Sequence, residues 1–344
     1  MIKYIEYMSV PSFKNLAIYG IFLFLFFVSP RSSFAATRLV PSQYNTIQAA
    51  HDAAQTGDVI RVANGTYAGF TISKQVTIEA VSYDPTNPRN NTVHITSPIL
   101  VQNGTWAWDQ GPVIRGIQIK ALDPVRGVNT AYTLEYSFVE GTGIGNDSVS
   151  FESAGGIVRG TIIDNGIYSG GSVQNSGDDN IDIDSQTMDV LIEDNQLLNS
   201  NQDGIETRHQ PVTIAQRVTL TIRNNRFENN GQDGLQIIDY DNFTNRRYIL
   251  ERNLFIRSGS KANGAAIAIM AAQETVENFS AAPMPEPLYA INNTFLNGDG
   301  GISGGANLIA INNIFSGNTV FDLKNVNGNS KVINSLFAAT PKLQ

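Results

Sequence analysis

The sequence predicts an all-β solenoid, on three observations. A short unit recurs along most of the chain, apolar and polar residues alternate within short runs, and asparagine is in excess where the runs end. The unit reads apolar-x-apolar, Asn, x, Phe or Leu. Its copies are Ile163-Asp164-Asn165-Gly166-Ile167, Ile192-Glu193-Asp194-Asn195-Gln196-Leu197, Ile222-Arg223-Asn224-Asn225-Arg226-Phe227, Asn253-Leu254-Phe255, Asn293-Thr294-Phe295, Asn313-Ile314-Phe315 and Asn334-Ser335-Leu336, with asparagine spacings of 30, 30, 28, 40, 20 and 21 residues. A polar corner and a second short strand follow the early copies: Asp179-Asn180-Ile181, Asp203-Gly204-Ile205 and Asp233-Gly234-Leu235, with Asn263-Gly264-Ala265 as a degenerate fourth. One such coil cannot bury its inner face alone; stacked at the ~4.8 Å strand spacing, coils pair their backbones and share one apolar column. The 35 asparagines then have a use. Asparagine tolerates left-handed corners, and its amide can bond to the next coil's asparagine in a ladder.

From the N-terminus, residues 1–35 read as an export signal. Lys3 and Lys14 precede the apolar run Leu16 to Val28, too short for the ~20 residues of a membrane span, and Ser33-Phe34-Ala35 fits a cleavage site. The protein is therefore expected to be secreted, periplasmic or on the cell surface, with no membrane span after cleavage. Residues 36–344 are expected to form one domain and to act as a monomer. A short amphipathic helix begins near Asn45-Thr46-Ile47-Gln48, with Ile47, Ala50, His51 and Ala54 on one face, and caps the open end of the apolar column. Strands follow at Val59-Ile60-Arg61-Val62 and Phe70-Thr71-Ile72, with Asn64-Gly65 as a turn between them.

Composition narrows the function. The 344 residues are 42% hydrophobic, which excludes intrinsic disorder, and the absence of cysteine excludes disulfides and thiolate metal sites. A net charge of −8 leaves no basic face for a phosphate backbone, so nucleic acid is not an expected partner. Trp106-Ala107-Trp108 offers two indoles on one side of a strand, a sugar-stacking platform or simple packing. Ala271 to Pro287 interrupts the repeat as a loop leaving the stack.

The stretch Tyr44-Asn45-Thr46-Ile47-Gln48-Ala49-Ala50, then Gly57-Asp58-Val59-Ile60-Arg61-Val62 and Gly65-Thr66-Tyr67, resembles the opening of right-handed parallel β-helix proteins of the pectate-lyase-like superfamily. That superfamily includes pectate lyases, polygalacturonases and mannuronan epimerases. From Gly177 to Phe315 the chain resembles exported bacterial β-helix repeat proteins. The resemblance implies a single-stranded right-handed parallel β-helix with an N-terminal capping helix, and a polysaccharide as substrate or ligand.

Period-two alternation assigns the faces. Ile181, Ile205, Leu235, Ile183, Thr207 and Ile237 point inward. The outward rows are Asp182, Glu206, Gln236 and Asp184, Arg208, Ile238; corner aspartates Asp178, Asp179, Asp203 and Asp233 precede them, and His209 and Tyr240 end the same strands. Three readings of this acidic patch stay open. In the first, Asp178, Asp179, Asp182 and Asp203 hold Ca²⁺, and Arg208 or His209, beside Glu206, Asp182 and Tyr240, removes the proton next to a uronate carboxylate. That chemistry is β-elimination or epimerisation, and pectate lyases resemble it in outline. In the second, two carboxylates hydrolyse a glycosidic bond. Gly177-Asp178-Asp179-Asn180 is similar to a polygalacturonase segment, but the Asn-Thr-Asp, Gly-His and Arg-Ile-Lys segments of those enzymes are missing. In the third, the aspartates only bond turn N–H groups, and the protein is a carbohydrate-binding or surface-structural solenoid. Lyase or epimerase action on a uronate-containing polysaccharide is the leading expectation.

Overall fold

The computed structural model describes residues 35–143, 145–169, 172–174, 178–209, 216–239, 245–259, 264–271, 284, 286–339 and 341–344. The expected export signal, except Ala35, lies outside them, as does most of the Ala271–Pro287 segment. No helix among the described residues is long and apolar enough to cross a membrane.

The chain winds through three parallel sheets of 12, 11 and 10 strands, and each full coil adds one strand to each. One coil reads Val190–Glu193 in the first sheet, Gln196–Leu198 in the second and Ile205–His209 in the third; the next reads Val218–Arg223, Arg226–Glu228 and Leu235–Asp239. Alternation works as the sequence predicts: Ile181, Ile183, Ile205, Thr207, Leu235 and Ile237 are all fully buried inside the column. One phenylalanine per coil stacks within it, Phe227, Phe255, Phe295, Phe315 and Phe337, with ring centroids 4.4, 5.2, 4.8 and 5.0 Å apart.

The helix Ile47–Ala53 starts at Thr46, whose hydroxyl accepts the Ala49 N–H, and buries Ile47, Ala50 and His51 against the first coils. Asn64-Gly65 is a corner and not a hairpin turn, because Gly65–Tyr67 is itself a strand of the second sheet, paired with Val93–Ile95.

The corner between the first and second sheets carries the asparagine ladder. Nδ2 of Asn195, Asn225, Asn253 and Asn293 donates to Oδ1 of the next coil's asparagine at 3.0, 3.0, 3.0 and 3.2 Å, ending at Asn313. Each preceding residue is left-handed, with φ of 57°, 57°, 54°, 56° and 55° at Asp194, Asn224, Arg252, Asn292 and Asn312. Three of the sequence copies are shifted. Ile163 pairs with Leu197, so Thr161, and not Asn165, stands below Asn195 in the ladder. Phe315 pairs with Phe337, so Ser335 replaces Asn334 at the top. Leu235 pairs with Ile267, so Ala265 occupies the corner expected for Asn263.

Candidate functional site

The outer wall of the third sheet brings the predicted acidic residues into register. Asp182 pairs with Glu206 and Asp184 with Arg208; the next coil places Gln236 and Ile238 beside them. Arg208 Nε lies 2.5 Å from Glu206 and 3.6 Å from Asp184, and Nη2 lies 3.7 Å from Asp182. One guanidinium thus serves three carboxyl groups.

Neighbouring coils set the environment. On one side Arg126 is already paired with Glu152, in register with Asp184. On the other, the outward residues turn apolar and buried: Ile238, Ala268 and Met270. Flanked in this way, Asp182 is only 4% exposed and Glu206 8%, whereas the Arg208 and Asp184 side chains are 38% and 37% exposed. Solvent therefore meets Arg208 and Asp184 first, with Asp182 and Glu206 recessed behind them.

Burial dominates the proton affinities. Desolvation, reinforced by the Asp147 and Asp184 charges, pushes Asp182 up to about 9 and so keeps it protonated at neutral pH. Glu206 and Asp184 are raised by burial for the same reason, against the pull of Arg208. Burial opposes the Arg208 charge, but Glu206, Asp182 and Asp184 outweigh it, and its pKa is raised. Arg208 is thus held as a cation, with carboxyl groups on three sides.

Beneath this pair of rows runs a ladder of corner aspartates. Asp147 Oδ1 accepts the Asp179 N–H at 3.3 Å, Asp179 Oδ1 the Asp203 N–H at 2.7 Å, Asp203 Oδ1 the Asp233 N–H at 2.7 Å, and Asp233 Oδ1 the Ala265 N–H at 2.7 Å. Their spacing is the coil repeat, so the aspartates are turn caps as well as charges. Burial, with Asp203, Glu206 and Asp147 nearby, drives Asp179 well above the usual carboxylate range. Asp147, less buried, is raised to about 6 by the same desolvation.

Of the four residues expected to hold a metal, Asp179 and Asp203 come together, and their third partner is Glu206; one oxygen from each lies within 4.8 Å of the others. Asp182 instead faces Arg208, and Asp178, half-buried, precedes the group at the corner. An all-oxygen set suits a hard cation such as Ca²⁺, which takes six to eight oxygens, of which these residues supply three. The His209 backbone closes the strand Ile205–His209, but its side chain lies outside the described residues, as does all of Tyr240.

No family model matches the chain, and no curated protein does. Solved structures do. The A-module of the Azotobacter vinelandii mannuronan C-5 epimerase AlgE6 aligns with a TM-score of 0.53 at 12% identity, over 85% of this chain and 94% of that one. An alginate lyase from Paenibacillus sp. gives 0.46 at 15% identity over 86% and 93%, and pectate lyase Pel9A 0.47 at 12% over 84% and 72%. The likeness shows the fold alone, a right-handed parallel β-helix.

Within this β-helix, sequence reasoning missed Asp147. Its corner, Asn146-Asp147-Ser148, sits one coil before Asp179 and carries the same Asp signature, but its coil lacks the asparagine unit that marked the others. Trp106 and Trp108 are not on a strand, as expected, but in the loop between strands Ile99–Gln102 and Val113–Arg115. Gly301-Ile302-Ser303-Gly304-Gly305 continues a buried strand, Gly300–Ser303, into a glycine corner.

Proposed function

We propose that the protein is an exported, carbohydrate-active β-helix that acts on a uronate-containing polysaccharide by lyase or epimerase chemistry. The observation that carries this reading is Arg208: a solvent-facing cation surrounded on the outer wall by Asp182, Asp184 and Glu206, with the Asp147 carboxyl within reach of its charge. A uronate carboxylate docks on the exposed Arg208, and neutral Asp182 donates a hydrogen bond to it. Both interactions stabilise the charge that develops on that carboxylate as the adjacent C5 proton is lost. Asp147, ionised above pH 6, is the base. In elimination the C5–H electrons form a C4–C5 double bond, the C4–O bond breaks, and the departing oxygen takes a proton. In epimerisation a proton returns to the opposite face of C5. Asp179, Asp203 and Glu206 would hold Ca²⁺ beneath this surface, where its charge would offset theirs and support the wall.

Polymannuronate, polyguluronate and polygalacturonate are the substrates to test, followed by ultraviolet absorbance of the unsaturated end group and by deuterium uptake at C5 in heavy water. One of them should give one of these signals, rising as pH passes about 6. Arg208→Met and Asp147→Asn should each reduce it at least ~100-fold, and Arg208→Lys less. Absence of both signals overturns the reading. Reducing ends without absorbance would favour hydrolysis instead. The turn-capping Oδ1 atoms of Asp147, Asp179, Asp203 and Asp233 favour the second reading, a binding or surface solenoid, which predicts binding with no chemistry.

A further inference from the structure

The two tryptophans of the chain have separate places in one loop. Trp106 packs against the apolar column, and its ring lies so close over Gly104 that a Cβ there would sit 1.9 Å from Trp106 Cζ3. Trp106 is therefore the anchor of the loop. The loop is tied down further by Gln75, whose side-chain amide donates to the Gln110 carbonyl at 2.6 Å.

Trp108 is displayed instead. It is half-buried and lines a cavity of about 250 Å³ on the outer wall of the first sheet, several coils further along the stack, together with Asp189, Leu191, Thr219, Thr221 and Arg223. Leu191, Thr219, Thr221 and Arg223 are outward residues of two adjacent strands, with Leu191 directly beside Thr221, and Asp189 immediately precedes the first of them. The cavity's two charged groups are held in place. Asp189 Oδ1 accepts the Thr219 N–H at 2.7 Å, and the Arg223 guanidinium is fixed on Glu193 at 2.6 Å. The cavity thus has an indole, two threonine hydroxyls set on a rigid sheet, a carboxylate and a charge-compensated arginine. An aromatic face suits the C–H face of a pyranose, and hydroxyl, carboxylate and guanidinium groups suit its rim of hydroxyls. Its volume lies just under the ~300–1,000 Å³ of drug-sized sites, which is room for a single sugar ring.

We infer that Trp108 and the outer wall of the first sheet form an accessory saccharide site. It takes one pyranose ring of a polysaccharide, on a different wall of the solenoid from Arg208 and without a part in bond cleavage. Chain captured there would be kept near the β-helix whether or not it is turned over, so the inference does not depend on the chemistry at Arg208.

Because the chain has only two tryptophans, 5-fluorotryptophan labelling gives two fluorine resonances, which Trp108→Phe assigns. Hexasaccharides of mannuronate, of galacturonate and of cellulose are the probes. At least one should shift the Trp108 resonance and leave Trp106 in place; Trp108→Ala should weaken its binding about tenfold. Thr221→Val, which keeps the platform and removes a hydroxyl, should weaken it less. Arg208→Met should leave the Trp108 shift intact, which separates this site from failure of the lyase or epimerase reading. A Trp108 resonance unmoved by all three probes at millimolar concentration, or full affinity in Trp108→Ala, overturns the inference.

Discussion

The outer walls of the first and third sheets stand on the same coils and treat charge in opposite ways. Along the first, Arg61, Glu79, Arg115, Glu135, Arg159, Glu193, Arg223 and Glu251 occupy one register position on eight successive strands. Signs alternate without a break. Arg61–Glu79, Arg115–Glu79, Arg115–Glu135, Arg159–Glu135 and Arg223–Glu193 pair at 3.0, 3.1, 2.5, 2.6 and 2.6 Å. On the third sheet the corresponding rows put Asp182 beside Glu206 and surround a single Arg208 with acid. A coil stack turns residues ~20–30 apart in sequence into neighbours about one strand spacing apart. Alternating signs then make a zipper that holds the coils, whereas like signs make a wall that must be neutralised by protons, by a cation or by a ligand. Local conflict of this kind marks a functional site more often than a structural one.

The first comparison sets one residue from each wall against the other. Glu135 is 1% exposed and bonded to two arginines, so Glu135→Gln should destabilise the fold by about 2 kcal/mol, between the values for exposed and buried pairs. Glu206→Gln removes a charge from a crowded acidic wall and should leave stability at pH 8 unchanged or raised. Denaturant unfolding of the two variants checks this. If Glu206→Gln costs as much as Glu135→Gln, the third wall is another structural zipper and the contrast collapses.

The coil rhythm was legible because strand alternation and left-handed corners both leave marks in sequence. Its errors have one source. Asparagine recurs at two different corners of the coils, the ladder at Asn195 or Asn225 and a second left-handed row at Asn199, Asn229 and Asn297. A lone Asn-x-apolar copy therefore does not say which corner it marks, and Asn165 stands in register with Asn199, not with the ladder. The acidic row was legible from the same alternation. Its burial was not, because that depends on Ile238, Ala268 and Met270 from later coils, and the charge zipper escaped notice because no short segment contains two of its members.

A second comparison follows from pH. Folding raises Asp182 to about 9 and Asp147 to about 6, above the ordinary aspartate value of ~3.9. The folded chain therefore holds these protons more tightly than the unfolded chain does. Stability from this source is complete below pH ~4 and is lost as pH rises, through about 6 for Asp147 and about 9 for Asp182. Each pKa unit is worth about 1.4 kcal/mol. Melting temperature should fall between pH 5 and pH 9, and Asp182→Asn should flatten that fall. The zipper variant Glu135→Gln should shift the whole curve without flattening it. An Asp182→Asn curve parallel to wild type would show that the third wall does not store its conflict as bound protons.

The smallest effect separates the two duties of a corner aspartate. Asp203 Oδ1 caps the Asp233 N–H, and its carboxyl stands among Asp179 and Glu206. Asp203→Asn keeps an oxygen for the cap and removes the acid; Asp203→Ala removes both. The alanine variant should lose about 1 kcal/mol, the value of a cap or a backbone hydrogen bond, at any pH. The asparagine variant should match wild type at pH 5 and melt higher at pH 8, where carboxyl crowding is greatest. If calcium stabilises wild type at pH 8, it should stabilise Asp203→Asn less, since one charged ligand of the three is gone. Equal losses in both variants at both pH values would make the carboxyl charge irrelevant and Asp203 a cap alone, like the neutral rungs of the asparagine ladder on the opposite corner.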